Sequence, residues 1–194
     1  MALHLQLDGD LSRLVGRSDS DWGGCKVTRR STSCGMVSWG RFLLTTYCRQ
    51  QSVLALSSPE AEYYAAVSLL AEMLYLKNLF EFLGIVLPIH LEVDASSAIA
   101  IASRMGVGRI RHLDTKYLWA QQIFARRQAT LSKISGKKNV ADLGTKHVDA
   151  ETLKWCCQEL GFLPLSDETV NELSECAHEF KYKDINRHIS GIWR

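Results

Sequence analysis

The sequence predicts an α/β domain in which a mixed sheet is covered by helices, and three observations carry that expectation. Residues 31–39 and 42–47 are rich in Thr, Val, Phe and Tyr and flank Gly40, the pattern of a β-hairpin. A long helical pattern follows, opened by a clear start signal and closed by Gly84. Residues 89–94 then alternate apolar and polar side chains and end on Asp94. Hairpin strands followed by crossover helices imply a sheet with both antiparallel and parallel neighbours.

Taken in order, residues 14–19 read as a short strand ending in an acidic turn, followed by the two hairpin strands and a third short apolar run at 52–56. Ser57-Ser58-Pro59-Glu60 supplies an N-cap hydroxyl, a proline suited to the first helical turn and an acid near the positive helix end. Ala61, Ala65, Leu69, Leu76, Leu79, Phe80 and Leu83 recur at spacings of three, four and seven, which predicts one helix as far as Leu83. After the alternating strand, residues 96–105 and 112–127 read as helices and 130–134 as a strand. Residues 136–138 form a lysine-bearing loop, and 139–145 begin a further helix that Gly144 weakens. Five strands result. Composition changes after Phe162-Leu163-Pro164, where the chain turns acidic and then basic.

With 194 residues, the chain has room for one packed domain and an appendage. A composition 46% hydrophobic and 23% charged is that of a globular protein and excludes a disordered one. Net charge is only +2, so any nucleic-acid-binding surface must be local. Arg29-Arg30, Arg126-Arg127 and Lys137-Lys138 are the basic pairs available for it. Six cysteines without a CxxC pair argue for free thiols in a reducing compartment. The first ten residues lack a signal-peptide pattern, and the most apolar stretch is broken by Lys77, Asn78 and Glu81. The expectation is a soluble intracellular protein, cytoplasmic or nuclear, with no membrane partner.

The acids carry the chemistry. A metal-dependent phosphodiesterase holds two magnesium ions about 3.5–4 Å apart across one phosphate. Magnesium favours hard oxygen ligands and keeps several waters, so three or four carboxylates suffice. Rigid strand ends and first helical turns are good places for them. Asp19 stands at the end of the first strand, Glu62 in the first turns of the long helix, Asp94 at the end of the alternating strand and Asp142 early in the last short helix. Each alone reads as an ordinary solvated acid; the four together read as a metal site.

The wording around these acids is specific. Ser18-Asp19-Ser20-Asp21-Trp22-Gly23-Gly24-Cys25, with Thr28-Arg29-Arg30-Ser31-Thr32-Ser33, resembles the opening of the ribonuclease H domain of copia-type retrotransposon Pol polyproteins. Ala55-Leu56-Ser57-Ser58-Pro59-Glu60-Ala61-Glu62-Tyr63 is similar to that family's second motif, and Val93-Asp94-Ala95-Ser96-Ser97-Ala98-Ile99 to its third. Asn139-Val140-Ala141-Asp142-Leu143-Gly144-Thr145-Lys146 is similar to the fourth, and Arg111-His112-Leu113-Asp114 to a further element. The match spans residues 14–162.

This resemblance implies a ribonuclease H-like fold with a mixed five-stranded sheet over residues 14–150, and leaves 151–194 as a helical or irregular C-terminal extension. It implies two Mg²⁺ ions, or Mn²⁺ in their place, on Asp19, Glu62, Asp94 and Asp142 as the catalytic and metal-binding four. Asp19 is preferred to Asp21 because the family's ligand closes the strand, and Glu62 to Glu60 because an aromatic or apolar residue follows it. The implied activity is hydrolysis of the RNA strand of RNA–DNA hybrids beside the reverse transcriptase and integrase parts of a polyprotein. The sequence departs from the family at Arg17, where an aromatic is usual, at Ala95 for asparagine, near Leu118 for a second histidine, and at His147 for proline. These departures keep open a catalytically inactive module that binds hybrid or serves structure. Another nuclease or transposase of the same fold is a third reading.

Lys137 and Lys138, just ahead of Asp142, are the basic residues best placed for a phosphate backbone. His112 is either a capping or core residue or an auxiliary that orients a ligand or assists product release. Trp22, Trp39, Tyr63 and Tyr64 are expected in the core.

Overall fold

The computed structural model describes residues 2–3, 9–108 and 110–163; the tail expected at 164–194 lies outside the described residues. Two compact units are distinguished, residues 5–161 and residues 1–4 with 162–194. In the second, the two-residue strands Ala2–Leu3 and Phe162–Leu163 pair antiparallel.

The larger unit is built on a five-stranded mixed sheet flanked by helices, as the sequence predicts. Its strands are β1 (Leu14–Asp21), β2 (Thr32–Trp39), β3 (Phe42–Gln50), β4 (Ile89–Val93) and β5 (Ala129–Lys133). The spatial order is β3-β2-β1-β4-β5. The first three form an antiparallel meander, and β4 and β5 add parallel to β1. Helices α1 (Ser58–Phe82), α2 (Ser96–Ala102), α3 (Trp119–Ala125) and α4 (Ala150–Glu159) complete it. Because α4 begins at Ala150, the division expected between residues 150 and 151 falls in its first turn. Among the described residues, no helix is long and apolar enough to cross a membrane.

Helix α1 organises the core. Its residues from Glu60 to Val67 are all buried, so the first two turns are enclosed on every side, while Tyr75, Phe82 and Leu83 at its far end are exposed. Close approach to β1 is possible because Gly16 has no side chain; a Cβ there would collide with Met73 and touch Leu69. Gln51, buried at the end of β3, donates to Ser33 Oγ and to the Ala61 carbonyl, which ties the meander to the helix start. Ser57 occupies the N-cap position, but its hydroxyl makes no capping bond. The Glu60 carboxylate does the comparable work, accepting from the Leu56 amide at 3.0 Å. Of the four aromatics expected inside, Tyr63 and Tyr64 are buried and Trp39 packs edge-on against Phe80 at 5.2 Å. Trp22 is instead exposed, its indole N–H donating to the Ala55 carbonyl.

Several boundaries differ from expectation for local reasons. The first strand does not end at Asp19: Ser20 and Asp21 still pair with Ser33 and Thr32 of β2. Residues 52–56 stay irregular, and the 96–105 helix stops at Ala102. The helix expected over 112–127 is broken. Asp114 accepts a bond from the Lys116 amide and starts a 3-10 turn, Thr115–Tyr117. That turn stacks Tyr117 on Tyr64 at 4.2 Å and offers its carbonyl to the Tyr63 hydroxyl at 2.7 Å. Residues expected to open a further helix at 139–145 form a 3-10 turn, Val140–Gly144, instead.

Gly144 explains how that turn fits. A Cβ at this position would lie 2.8 Å from Cys34 Cβ on β2 and closer still to its sulfur. Cys48 Sγ also donates to the Gly144 carbonyl at 2.9 Å, so the turn rests directly on the sheet. Gly144→Ala is expected to lift it and to destabilise the domain by about 1–3 kcal/mol, the usual cost of overpacking. Chemical denaturation measures this, and an unchanged midpoint would show that the contact is dispensable.

Candidate metal centre

The register of the sheet sets two of the carboxylates side by side. β1 and β4 pair in parallel as far as Arg17↔Glu92. Asp19 and Asp94 each lie two residues beyond that last rung, so they emerge together where the strands part. Arg17 and Glu92 close the ladder with an ion pair at 2.7 Å. Glu62 comes from the enclosed first turns of α1. Oxygens of Asp19, Glu62 and Asp94 all lie within 4.8 Å of one another. Glu60, two residues earlier, bonds elsewhere.

The fourth motif is carried to this point by Asn139. Its Nδ2 donates to the Ser18 carbonyl at 2.9 Å, and its Oδ1 accepts from the Ala141 amide. The Val140–Gly144 turn is thereby pinned beside β1, with Asp142 in its first turn. Asp142 joins Asp19 through a cation. Lys146 Nζ lies 3.1 Å from Asp19 Oδ1 and 3.1 Å from Asp142 Oδ1. The Thr145 hydroxyl donates to the other Asp19 oxygen. Asp19 is 0% exposed, so these two donors make its charge tolerable. Asn139, Thr145 and Lys146 were given no role by sequence reasoning. The available signals were an asparagine at a cap position and a lysine four residues after an acid.

Crowded like charges leave an electrostatic signature. Burial first, and then the Asp19 and Asp94 charges, push the Glu62 carboxyl up to about 8. Burial and Asp19 push Asp142 up to about 6, with Lys146 opposing the rise. Asp94 is raised as well, by burial and by Asp19. For Lys146, burial disfavours the charge, but Asp19 and Asp142 outweigh it and hold its pKa above the usual range.

The residues present suit a hard divalent cation. They offer three convergent carboxylates, and Glu62 Oε2 is buried without a hydrogen-bond partner. An oxygen in that condition is costly unless a cation or proton meets it.

Of the remaining site candidates, the two lysines share a cleft with Asp142 and His112 is held by Glu60. Lys137 and Lys138 are exposed in a 3-10 turn, Gly136–Lys138, and line a cleft that Asp142 also borders. Gly136 sits close beneath Asp94; a Cβ on it would stand 3.3 Å from Asp94 Oδ2. His112 is half exposed, and its Nε2 lies 2.9 Å from Glu60 Oε2. Glu60 is buried, taking a further bond from the Tyr64 hydroxyl at 2.5 Å. The two glutamates of the second motif thus have separate surroundings: Glu62 meets Asp19 and Asp94, and Glu60 braces the helix start and holds His112. Asp21 accepts from the Thr32 amide and serves the hairpin.

No protein-family profile matches the chain. It is 29% identical over 150 residues to the retrovirus-related Pol polyprotein from transposon TNT 1-94 of Nicotiana tabacum. The overlap takes in 76% of this chain and 11% of that polyprotein, so the chain spans a small part of its relative's length. Among solved structures, it is similar to the N-terminal RNase H domain of rv2228c from Mycobacterium tuberculosis. That likeness has a TM-score of 0.48 and 15% identity, and covers 76% of this chain and 97% of that one. LC11-RNase H1, isolated from compost, gives a TM-score of 0.45 and 13% identity over 68% of this chain and 91% of its own.

Two outcomes follow from the electrostatics. Glu62, Asp94 and Asp142 bind protons more tightly folded than unfolded, so metal-free stability falls as pH rises from the ordinary carboxylate range to about 8. A divalent ion entering the site must expel those protons. Calorimetric Mg²⁺ titration in buffers of different ionisation enthalpy is expected to show proton release near pH 6 that declines through pH 8 and is lost above it; binding at about pH 6 without release would remove Glu62 from the ligand set. Lys146→Met is expected to lower metal-free stability by roughly 1–3 kcal/mol, discounted because the ammonium is half exposed. Mg²⁺ should then raise the melting temperature of the variant more than that of the parent, and equal rises would show that the lysine and the ion do not compete.

Proposed function

We propose that this domain is a two-metal ribonuclease H, an endonuclease that hydrolyses the RNA strand of RNA–DNA hybrids as part of a retrotransposon Pol polyprotein. The observation that carries the reading is the convergence of Asp19, Glu62 and Asp94 within 4.8 Å, with one Glu62 oxygen left unsatisfied in the interior. The 29% identity to a transposon Pol polyprotein supports the setting, and the reverse transcriptase and integrase parts of such a polyprotein are the proposed neighbours in the chain.

In this reading Asp19, Glu62, Asp94 and Asp142 hold Mg²⁺, for which Mn²⁺ can substitute. Bound there, the ions would supply an activated water and stabilise the leaving oxygen. The chain's own residues do the rest. The β1–β4 register fixes the spacing of Asp19 and Asp94, and α1 presents Glu62 on a rigid, enclosed turn. Asn139 and Gly144 hold Asp142 against the sheet. Lys146 bridges Asp19 and Asp142 and offsets their charge. Lys137 and Lys138 meet the phosphate backbone, and His112, held by Glu60, is an auxiliary that orients a ligand or assists product release. Selectivity for RNA rests on contacts to its 2′-hydroxyl.

One observation favours a second reading, an inactive module that binds hybrid without cutting it. Lys146 already offsets Asp19 and Asp142, so those two carboxylates do not require an ion. A labelled hybrid incubated with Mg²⁺ or with chelator separates the two. Under the proposed function the RNA strand is cut and chelator abolishes cutting; binding without cleavage at any Mg²⁺ concentration establishes the module. Asp94→Asn, which removes one anionic ligand with little change in volume, should keep the circular dichroism spectrum and lower cleavage by more than about a hundredfold. Undiminished turnover would remove Asp94 from the site.

A further inference from the structure

Beside the carboxylates, between the Gly136–Lys138 turn and α4, lies an open cleft of about 810 Å³. Asp142 and Lys146 border it at the end nearest the metal centre, and Lys137, Lys138 and His147 line it with them. Trp155, half buried on α4, adds an indole to the same lining. Three acids share the lining. Asp142 is paired with Lys146, and Asp149 is occupied in capping α4, accepting from the Thr152 amide at 2.7 Å. Glu151 is exposed in the first turn of α4, which leaves Lys137 and Lys138 to carry the positive charge.

This combination is that of a single-strand site. Cations track a phosphate backbone, and an aromatic face takes an unstacked base regardless of its identity. A base inside a duplex is stacked on its neighbours and presents only an edge, so an indole set within a cleft has no flat face to meet there. A cavity of this volume is of the size that holds a small ligand, and a duplex is far wider. A strand with one phosphate at the carboxylates would send its next unpaired nucleotides into the cleft.

We infer that the cleft is a subsite for an unpaired nucleotide next to the cleavage point, so that the preferred substrate is a hybrid continuing into single strand and not a blunt one. Lys137, Lys138 and His147 take the phosphates, and Trp155 stacks on the base. The inference rests on the nuclease reading for the origin of the strand, but its test is a binding measurement that does not need cleavage.

With Ca²⁺ replacing Mg²⁺, affinities are measured for a blunt hybrid and for the same hybrid extended by a short single strand of RNA or of DNA at either end. At least one extended form is expected to bind roughly five- to a hundredfold more tightly than the blunt form, the range of one stacked base. Trp155→Ala should bring that ratio to about one, and Trp155→Phe, which keeps an aromatic face and the packing of α4, should retain most of it. The extended hybrid should also quench tryptophan fluorescence in the parent, and that quenching should be lost in Trp155→Phe. Equal affinity for blunt and every extended form overturns the subsite, as does quenching that survives Trp155→Phe, which would place the stacking at another tryptophan such as Trp22. Neither result bears on the nuclease reading, which stands or falls on chelator-sensitive cleavage of the blunt hybrid.

Discussion

A fully buried carboxylate is the constraint on which this domain depends. Asp19 sits in the middle strand of the sheet with no exposure to solvent. An isolated charge there would be strongly disfavoured, and the chain brings a remote segment across to meet it. Thr145 and Lys146 reach Asp19 from more than a hundred residues further along, held by the Asn139 bond to Ser18 and by the contact of Gly144 with Cys34. The end of the domain is therefore fastened to its beginning at the point where charge is most crowded. The side chains that make the buried Asp19 tolerable thus belong to the segment that carries Asp142.

The second motif divides its labour in a way that helix geometry explains. Positions two apart on a helix point about 200° apart, so Glu60 and Glu62 cannot serve the same partner. One glutamate turns toward the strand ends and the other toward the segment after α2, where Tyr64, Tyr117 and His112 meet. Enclosure of α1 on every side from Glu60 to Val67 is what allows both to be used. An ordinary surface helix buries one stripe and would leave one acid in water.

Much of this was legible in the sequence because its signals are local. The Pro59 start of α1, the alternation that ends at Asp94 and the hairpin around Gly40 each announce themselves within a few residues. The three acids that converge could be picked out by their places at element ends, although Asp19 stands inside its strand, since β1 continues beside β2 after it has left β4. What could not be read depends on distant partners. The break in the 112–127 segment follows from a tyrosine stack with α1, and its end at Ala125 is marked by Arg127 at φ 57°, a conformation no side chain there advertises. Lys146 looks like a routine surface lysine at helical spacing from Asp142. Its second partner, Asp19, is visible only once the sheet is assembled.

On the proposed metal-binding reading, that lysine would give the site a form of cation selectivity that needs no size filter. The carboxylates already possess one positive charge, tethered and always present. A potassium or sodium ion entering in its place would exchange one unit of charge for one and would also lose the ammonium's hydrogen bonds, so it gains nothing. A divalent ion brings twice the charge to the same oxygens and releases the ammonium to water or to an incoming phosphate. On that reading the tethered amine would act as a valence threshold, holding the carboxylates against monovalent ions while leaving them open to a doubly charged one.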